Sequence, residues 1–223
     1  MRKSNMITQE IVDYIAIDMK KTVVDDIKPC LLIGVREGGY FSVPRLVLSC
    51  VDYLGALYCG WKPTETYAGG KPNFTATRKA VRYLKDVFGQ VFSDYKVRAE
   101  LLWEMYRHGT VHLNEPKVLQ NGTKSISWQI FKAGFNERMI IGGVPTGPGT
   151  SVQMYLSHLV PMEITGLPGQ WILPIGTTCL YEDLVASLDV YAGMVLKDRS
   201  LEDNFRSAVN EMVKPEEVTI AWP

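Results

Sequence analysis

The spacing of apolar residues changes twice along this chain of 223 residues, and this change constrains the fold more than any other feature. Helical spacing runs through most of residues 1–116, and it returns in residues 177–223. Alternation of apolar and polar residues, which is typical of half-buried strands, marks residues 117–176. The chain is therefore predicted to be mainly α, a helical bundle with an inserted or appended small antiparallel β-sheet, α+β overall. The three segments are expected to form one compact domain.

Within the first segment, helical spacing predicts helices at about 7–27, 44–58, 74–91 and 94–107. Pro29 is expected to end the first of them, and Pro44 to begin the second. The pair Asn121-Gly122 predicts a tight hairpin turn. Further strands are expected at 138–142, 152–160 and 170–175, a loop at 142–151, and helices at 179–196 and from residue 200 onward.

Composition excludes several classes of protein. Lys plus Arg and Asp plus Glu both number 24, so bulk electrostatic binding of nucleic acid is not expected, although a local basic site is compatible with this balance. The four cysteines form no CxxC pair, which favours free thiols in a reducing compartment over a zinc or disulfide scaffold. The polar N-terminus and the absence of a long apolar run predict a cytoplasmic protein with no membrane segment.

The stretch Arg107-His108-Gly109-Thr110-Val111-His112 carries the strongest chemical signal, because it holds two of the three histidines beside an arginine. Arginine is a permanent cation whose planar fork binds phosphate oxygens. Histidine exchanges protons most readily near neutral pH. Together they suggest acid–base chemistry on a phosphate.

Two other interpretations of this stretch stay open. His108 and His112 have the i, i+4 spacing of a metal pair, and Glu104 could complete the set, but Gly109 stands where the HExxH motif requires glutamate. Alternatively, Arg107 pairs with a nearby glutamate while the histidines complement the helix dipole. No metal or other cofactor is predicted.

The remaining motifs favour structural roles. The glycine-rich loop 142–151 has P-loop spacing, but Pro148 stands where lysine is required. No G-x-S-x-G elbow is present. His158 lies in a strand-like run and is predicted to be structural.

The motif from Arg107 to His112 resembles the signature of the HEPN superfamily, in which an arginine is followed after four to six residues by a histidine. A polar residue such as His108 often follows that arginine. The resemblance covers about residues 7–115, and 179–213 could extend it; the β region has no counterpart. It implies a helical bundle that forms a homodimer and brings two motifs together in a cleft.

The resemblance also implies roles for individual residues in a metal-independent endoribonuclease. His112 would be the general acid or base, Arg107 would stabilise charge on the phosphate, and His108 would orient the site. The candidate substrate contacts are Arg45, Lys117 and Asn114, and the candidate supporting residues are Asp52 and Glu104. Asn114 stands where some members carry a tyrosine.

Three functions therefore remain open. The leading one is an endoribonuclease acting on RNA at a dimer cleft. The second is a non-catalytic HEPN-like module that binds a protein partner. The third is a metal-dependent hydrolase that uses His108 and His112.

Overall fold

The computed structural model describes residues 6–32, 41–60, 76–107 and 115–213. Six helical stretches occur in these residues. Helix α1 is residues 8–32, with a π-helical turn at Tyr14–Met19; α2 is Ser42–Cys59; α3 is residues 76–91, with a π-helical turn at Leu84–Phe88. Helix α4 is residues 95–107 and ends in a π-helical turn at Trp103–Arg107, α5 is Thr177–Val195, and α6 is Arg199–Met212.

The strands between α4 and α5 form two sheets. Their bounds are β1 Leu119–Asn121, β2 Lys124–Phe131, β3 Met139–Gly147, β4 Thr150–Ser157, β5 Met162–Glu163 and β6 Gln170–Gly176. Four strands make one sheet in the order β1-β2-β6-β5, while β3 and β4 pair only with each other among the described residues. The hairpin between β1 and β2 is present, but its two turn residues are Gly122 and Thr123, one position after the predicted pair, because Asn121 is still in β1 and pairs with Lys124.

The four-stranded sheet lies between the helices and the β3–β4 hairpin. Ile130, Leu173 and Ile175 on one face belong to the same apolar core as the helices. Phe131 and Ile172 on the other face pack in a second core with hairpin residues. The helix-facing side places the end of α4 against the sheet, where the Tyr106 hydroxyl donates to the carbonyl of Leu173 at 2.8 Å.

Helices α2 and α3 pack at very close range. A Cβ atom added to Gly55 of α2 would lie 2.7 Å from the backbone nitrogen of Ala80 in α3. Only glycine fits at such a distance, because the atoms that a Cβ would meet are backbone atoms, which cannot move aside as the end of a side chain can. This contact fixes α2, the helix that carries Arg45 and Asp52.

The prediction of a mainly α bundle with one small antiparallel sheet is wrong. Helices make up 59% and strands 21% of the described residues, and the strands form two sheets in a mixed α+β fold. In addition, β2 and β6 are parallel along their length, from Ser125 opposite Gln170 to Phe131 opposite Gly176. Alternation of apolar residues reports a buried face but neither the partner nor the direction of a strand.

Two local predictions are also wrong. Pro29 lies inside α1, which continues to Leu32 because Ile27 and Leu31 are anchored in the core. Most of the predicted loop 142–151 belongs to β3 and β4, which leaves only a tight turn at 148–149. A Cβ added to Gly142 would lie 2.7 Å from Cδ1 of Leu156, so the small size of this glycine lets Leu156 pack within the β3–β4 hairpin.

Among the described helices, none is long and apolar enough to cross a membrane.

Candidate functional site at the end of helix α4

Arg107, the motif arginine, is the last residue of α4 and is held by an ion pair to α2. Its Nη2 atom donates to Oδ2 of Asp52 at 2.9 Å, and the two side chains are 20% and 25% exposed. The guanidinium carbon also lies 5.8 Å from the ring centroid of Trp103, one π-helical turn earlier. The guanidinium is therefore fixed by a carboxylate and an indole, while a fifth of the arginine side chain remains open to solvent.

Three polar atoms at this place are buried without a hydrogen-bond partner among the described residues. They are Oδ1 of Asp52, Nε of Arg107 and Nε1 of Trp103. Trp103 itself is only 2% exposed. Buried polar groups are almost always paired, so three unpaired ones in one cluster indicate unused hydrogen-bonding capacity around the motif arginine.

Glu104 and Lys117 form a second ion pair beside this cluster. Their Oε1 and Nζ atoms are 3.2 Å apart, and both side chains are more exposed than the Arg107 pair. The backbone N–H of Lys117 donates to the carbonyl of Met105 at 2.9 Å. This bond ties the chain that follows residue 115 to the end of α4. The charge of Lys117, predicted to contact phosphate, is engaged by Glu104.

The other predicted site residues are not all brought to this place. Arg45 is half-buried on α2, seven residues before Asp52, a separation of about 10 Å along the helix axis. His108, His112 and Asn114 lie outside the described residues. The structure thus joins Arg107 with Asp52, and Glu104 with Lys117.

A polar cluster that the sequence did not indicate connects the β region to the helices. Asp183 of α5 is 1% exposed and accepts hydrogen bonds from both terminal nitrogens of Arg138. The buried Tyr95 hydroxyl also donates to Asp183, at 3.0 Å, and Nε2 of His158 lies 3.5 Å from the same carboxylate. Arg138 stacks over Phe92, its guanidinium carbon 4.3 Å from the ring centroid.

The hydrogen bonds around His158 define its tautomer. The backbone N–H of Gly176 donates to Nδ1 at 3.1 Å, so Nδ1 is an acceptor and the proton resides on Nε2, 3.1 Å from the Tyr95 oxygen. Burial lowers the pKa of His158 below its usual value and outweighs the opposing effect of Asp183. His158 is therefore a neutral, fully bonded core histidine, which agrees with its predicted structural role.

The pKa of Asp183 is shifted in the direction expected of an ion-paired carboxylate. Burial alone would raise it, but hydrogen bonds from His158 and Arg138 hold the pKa of Asp183 below its ordinary value. Asp183 is thus ionised and Arg138 compensates its charge. This arrangement stabilises the junction between α4, α5 and the strands, and it leaves no proton-transfer group open to solvent.

Cys179 lies at the start of α5, next to this cluster, but its thiol is not activated. Burial raises the pKa of Cys179 to about 11, so the thiol is protonated at neutral pH. Its Sγ donates to the carbonyl of Glu137 at 3.0 Å. Within the ranges that the structure describes, no three His, Cys, Asp or Glu side chains form a group that could hold a metal ion.

Comparisons with protein-family models, curated proteins and solved structures yield no significant match to this chain.

Proposed function

We propose that this protein is a HEPN-like, metal-independent endoribonuclease whose site consists of Arg107, His108 and His112 at the cleft of a homodimer. The sequence motif supports this proposal. The observation that carries it is the ion pair of Arg107 with Asp52, which orients the guanidinium at the end of α4 and leaves a fifth of the arginine side chain exposed. A catalytic cation benefits from such a fixed orientation, because preorganised charge stabilises a transition state without rearrangement.

The proposed reaction is an internal transfer of the RNA phosphate. The 2′-oxygen attacks the adjacent phosphorus and loses its proton, while the bond from phosphorus to the 5′-oxygen breaks and that oxygen gains a proton. His112 acts as general acid or base in these transfers. Arg107 stabilises the charge that develops on the phosphate oxygens, and His108 orients the site. The products carry a 2′,3′-cyclic phosphate and a 5′-hydroxyl.

Asp52 is a positioning residue in this proposal. Its Oδ2 atom accepts from Nη2 of Arg107, and in this proposal the other terminal nitrogen, Nη1, binds the phosphate. The paired carboxylate also reduces the net positive charge at the site. We expect the site to bind RNA weakly in the ground state and to act mainly on the charge that develops during the reaction.

The same ion pair favours a second candidate function, a non-catalytic module that binds a protein partner. The charge of Arg107 is already compensated by Asp52, and four fifths of its side chain is buried. In this function the pair stabilises α2 against α4, and substitution of Arg107 lowers stability or partner affinity instead of catalysis.

Cleavage of end-labelled structured and unstructured RNAs in EDTA distinguishes these functions. We expect the wild-type protein to cut RNA and both Arg107→Ala and His112→Ala to lose about 10²–10³ in rate, as for removal of one group that stabilises transition-state charge. Lys197→Ala, which removes an exposed cation in the turn between α5 and α6, is the matched control and should retain full activity.

The variants are compared at matched thermal stability, because removing Arg107 leaves the Asp52 carboxylate half-buried and unpaired. Arg107→Lys is a second variant that keeps the charge and a partner for Asp52 but loses the planar fork. Cleavage that survives in the variants, or that requires added metal, contradicts the proposal. No cleavage of any RNA, together with a loss of stability in Arg107→Ala, favours the interaction module.

A further inference from the structure

A groove of about 540 Å³ lies between the side of α4 and the near edge of the four-stranded sheet. Its floor is apolar and comes from three different elements: Leu101 of α4, Leu119 of β1 and Ile126 of β2. Its volume is in the range of sites that bind small molecules. The groove lies on the same helix as Arg107 but is separate from the Arg107–Asp52 pair.

The rim of this groove carries two cations whose charge is not compensated. Arg98 of α4 and Lys124 of β2 line the groove and make no ion pair with any residue in the described ranges. Among the residues that the structure describes, no acidic side chain lines it. Glu163 is the acidic residue that pairs across the strands with Trp171 of the groove. Its carboxylate accepts a hydrogen bond from the N–H of Gly169 at 2.6 Å. In a chain of zero net charge, the groove is a local positive site.

Trp171, at the start of β6, supplies an aromatic surface in the same groove. It is half-buried and belongs to neither apolar core, whereas Trp103 and Trp128 both pack in the main core. In the parallel register it stands beside Ile126 of the groove floor. A large aromatic side chain left outside both cores provides a face on which a planar ligand can stack.

We propose that this groove binds single-stranded RNA, with one base stacked on Trp171 and the adjacent phosphates bound by Arg98 and Lys124. Aromatic stacking beside cations that follow the backbone is the usual way in which proteins hold single strands. The side chains of Gln120 and Asn121, also in the groove, supply donors and acceptors for a base edge. The inference rests on the proposed function and deepens it: the groove holds an unpaired stretch of the same RNA that the site at Arg107 cuts.

The test is binding of fluorescein-labelled 12-nucleotide oligo(U) and oligo(A) with 2′-O-methyl groups, which cannot undergo the proposed cleavage, measured by anisotropy in EDTA. Trp171→Leu keeps an apolar side chain on the strand and should weaken binding roughly tenfold. Arg98→Gln and Lys124→Gln should each weaken it and lower the salt dependence by about one counterion. Lys197→Gln, which removes the same charge from an exposed site in the turn between α5 and α6, is the matched control. A base-paired RNA of the same length should compete poorly.

Wild-type affinity in all three groove variants, within twofold of Lys197→Gln, overturns the proposal, and so does an absence of RNA binding by the wild-type protein. Equal binding of DNA of the same sequence would show that the groove contacts the base and the phosphates and not the 2′ position of the ribose. Failure of the groove and failure of the ribonuclease are distinguishable. If the groove variants lose binding and neither the wild type nor any variant cleaves RNA, the groove proposal alone is supported. If cleavage depends on Arg107 but not on the groove residues, the ribonuclease proposal alone is supported.

Discussion

Replacement of Asp183 by asparagine tests whether the polar cluster at the start of α5 stabilises the fold. Asp183 is 1% exposed and accepts from Arg138, Tyr95 and His158. Asparagine has nearly the same shape, but one carboxylate oxygen becomes an NH₂ group that faces the donors of Arg138. The variant therefore loses the ion pair and at least one charge-assisted hydrogen bond.

We expect a loss of about 2–3 kcal/mol in the free energy of unfolding, because a hydrogen bond to a charged group contributes about 1.5–3 kcal/mol and the Arg138 side chain, 35% exposed, stays partly solvated without its partner. For a domain of this size, that corresponds to a fall in Tm on the order of 10 °C. The assay is denaturant unfolding at pH 7, with thermal melts as a second measurement. Because Arg138 and Asp183 act as a pair, adding Arg138→Leu to Asp183→Asn should cost less than the sum of the two single changes.

Asp189→Asn is the matched control, since it makes the same substitution on the same helix. Asp189 pairs with Lys20 at 2.7 Å, but its side chain is 56% exposed. Solvent screening limits such pairs to about 1 kcal/mol or less. A loss below about 1 kcal/mol in Asp183→Asn, or equal losses in the two variants, would refute the structural role given to the cluster.

Three further predictions follow from buried contacts. Burial lowers the pKa of His158, so below the ordinary histidine pKa the unfolded chain binds more protons than the folded chain. The free energy of unfolding should therefore fall as the pH drops below about 6.5. In denaturant melts at several pH values, His158→Asn should make this fall smaller. Gly55→Ala should lower the free energy of unfolding by about 1–3 kcal/mol, because the added methyl group clashes with α3. Gly193→Ala, which has open space around it, should leave stability unchanged or raise it by up to about 1 kcal/mol. Equal effects of the two changes in denaturant unfolding would contradict the packing described. Tyr106→Phe should cost about 1–3 kcal/mol in the same assay, because it leaves a buried strand carbonyl without this donor; no change would contradict the 2.8 Å bond.

The helices and the first hairpin could be predicted from sequence because their signals are local. The predicted helix 94–107 corresponds to α4 at 95–107, and the hairpin turn at Gly122-Thr123 lies within one residue of the predicted pair. The parallel pairing of β2 with β6 could not be predicted, because the long connection of residues 132–169 separates the two strands. Their alternation is the same whichever strand lies beside them.

The polar contacts were beyond sequence reasoning for a related reason. The ion pair of Asp52 and Arg107 joins residues 55 positions apart, and although Asp52 is a candidate supporting residue, its pairing with Arg107 could not be predicted from either helix. Asp183 directly follows Glu182, and the sequence does not show which of these two adjacent carboxylates is buried. Its four-residue cluster exists because α4, α5 and the β3–β4 hairpin meet at one point, which depends on the tertiary fold alone.

The most direct test of the proposed function is the chemistry of the RNA ends after incubation in EDTA. Wild-type protein should produce 2′,3′-cyclic phosphate and 5′-hydroxyl ends, Lys197→Ala should produce the same ends at the same rate, and Arg107→Ala should produce neither. The proposal is contradicted if no cyclic phosphate forms, or if it forms at an unchanged rate without Arg107.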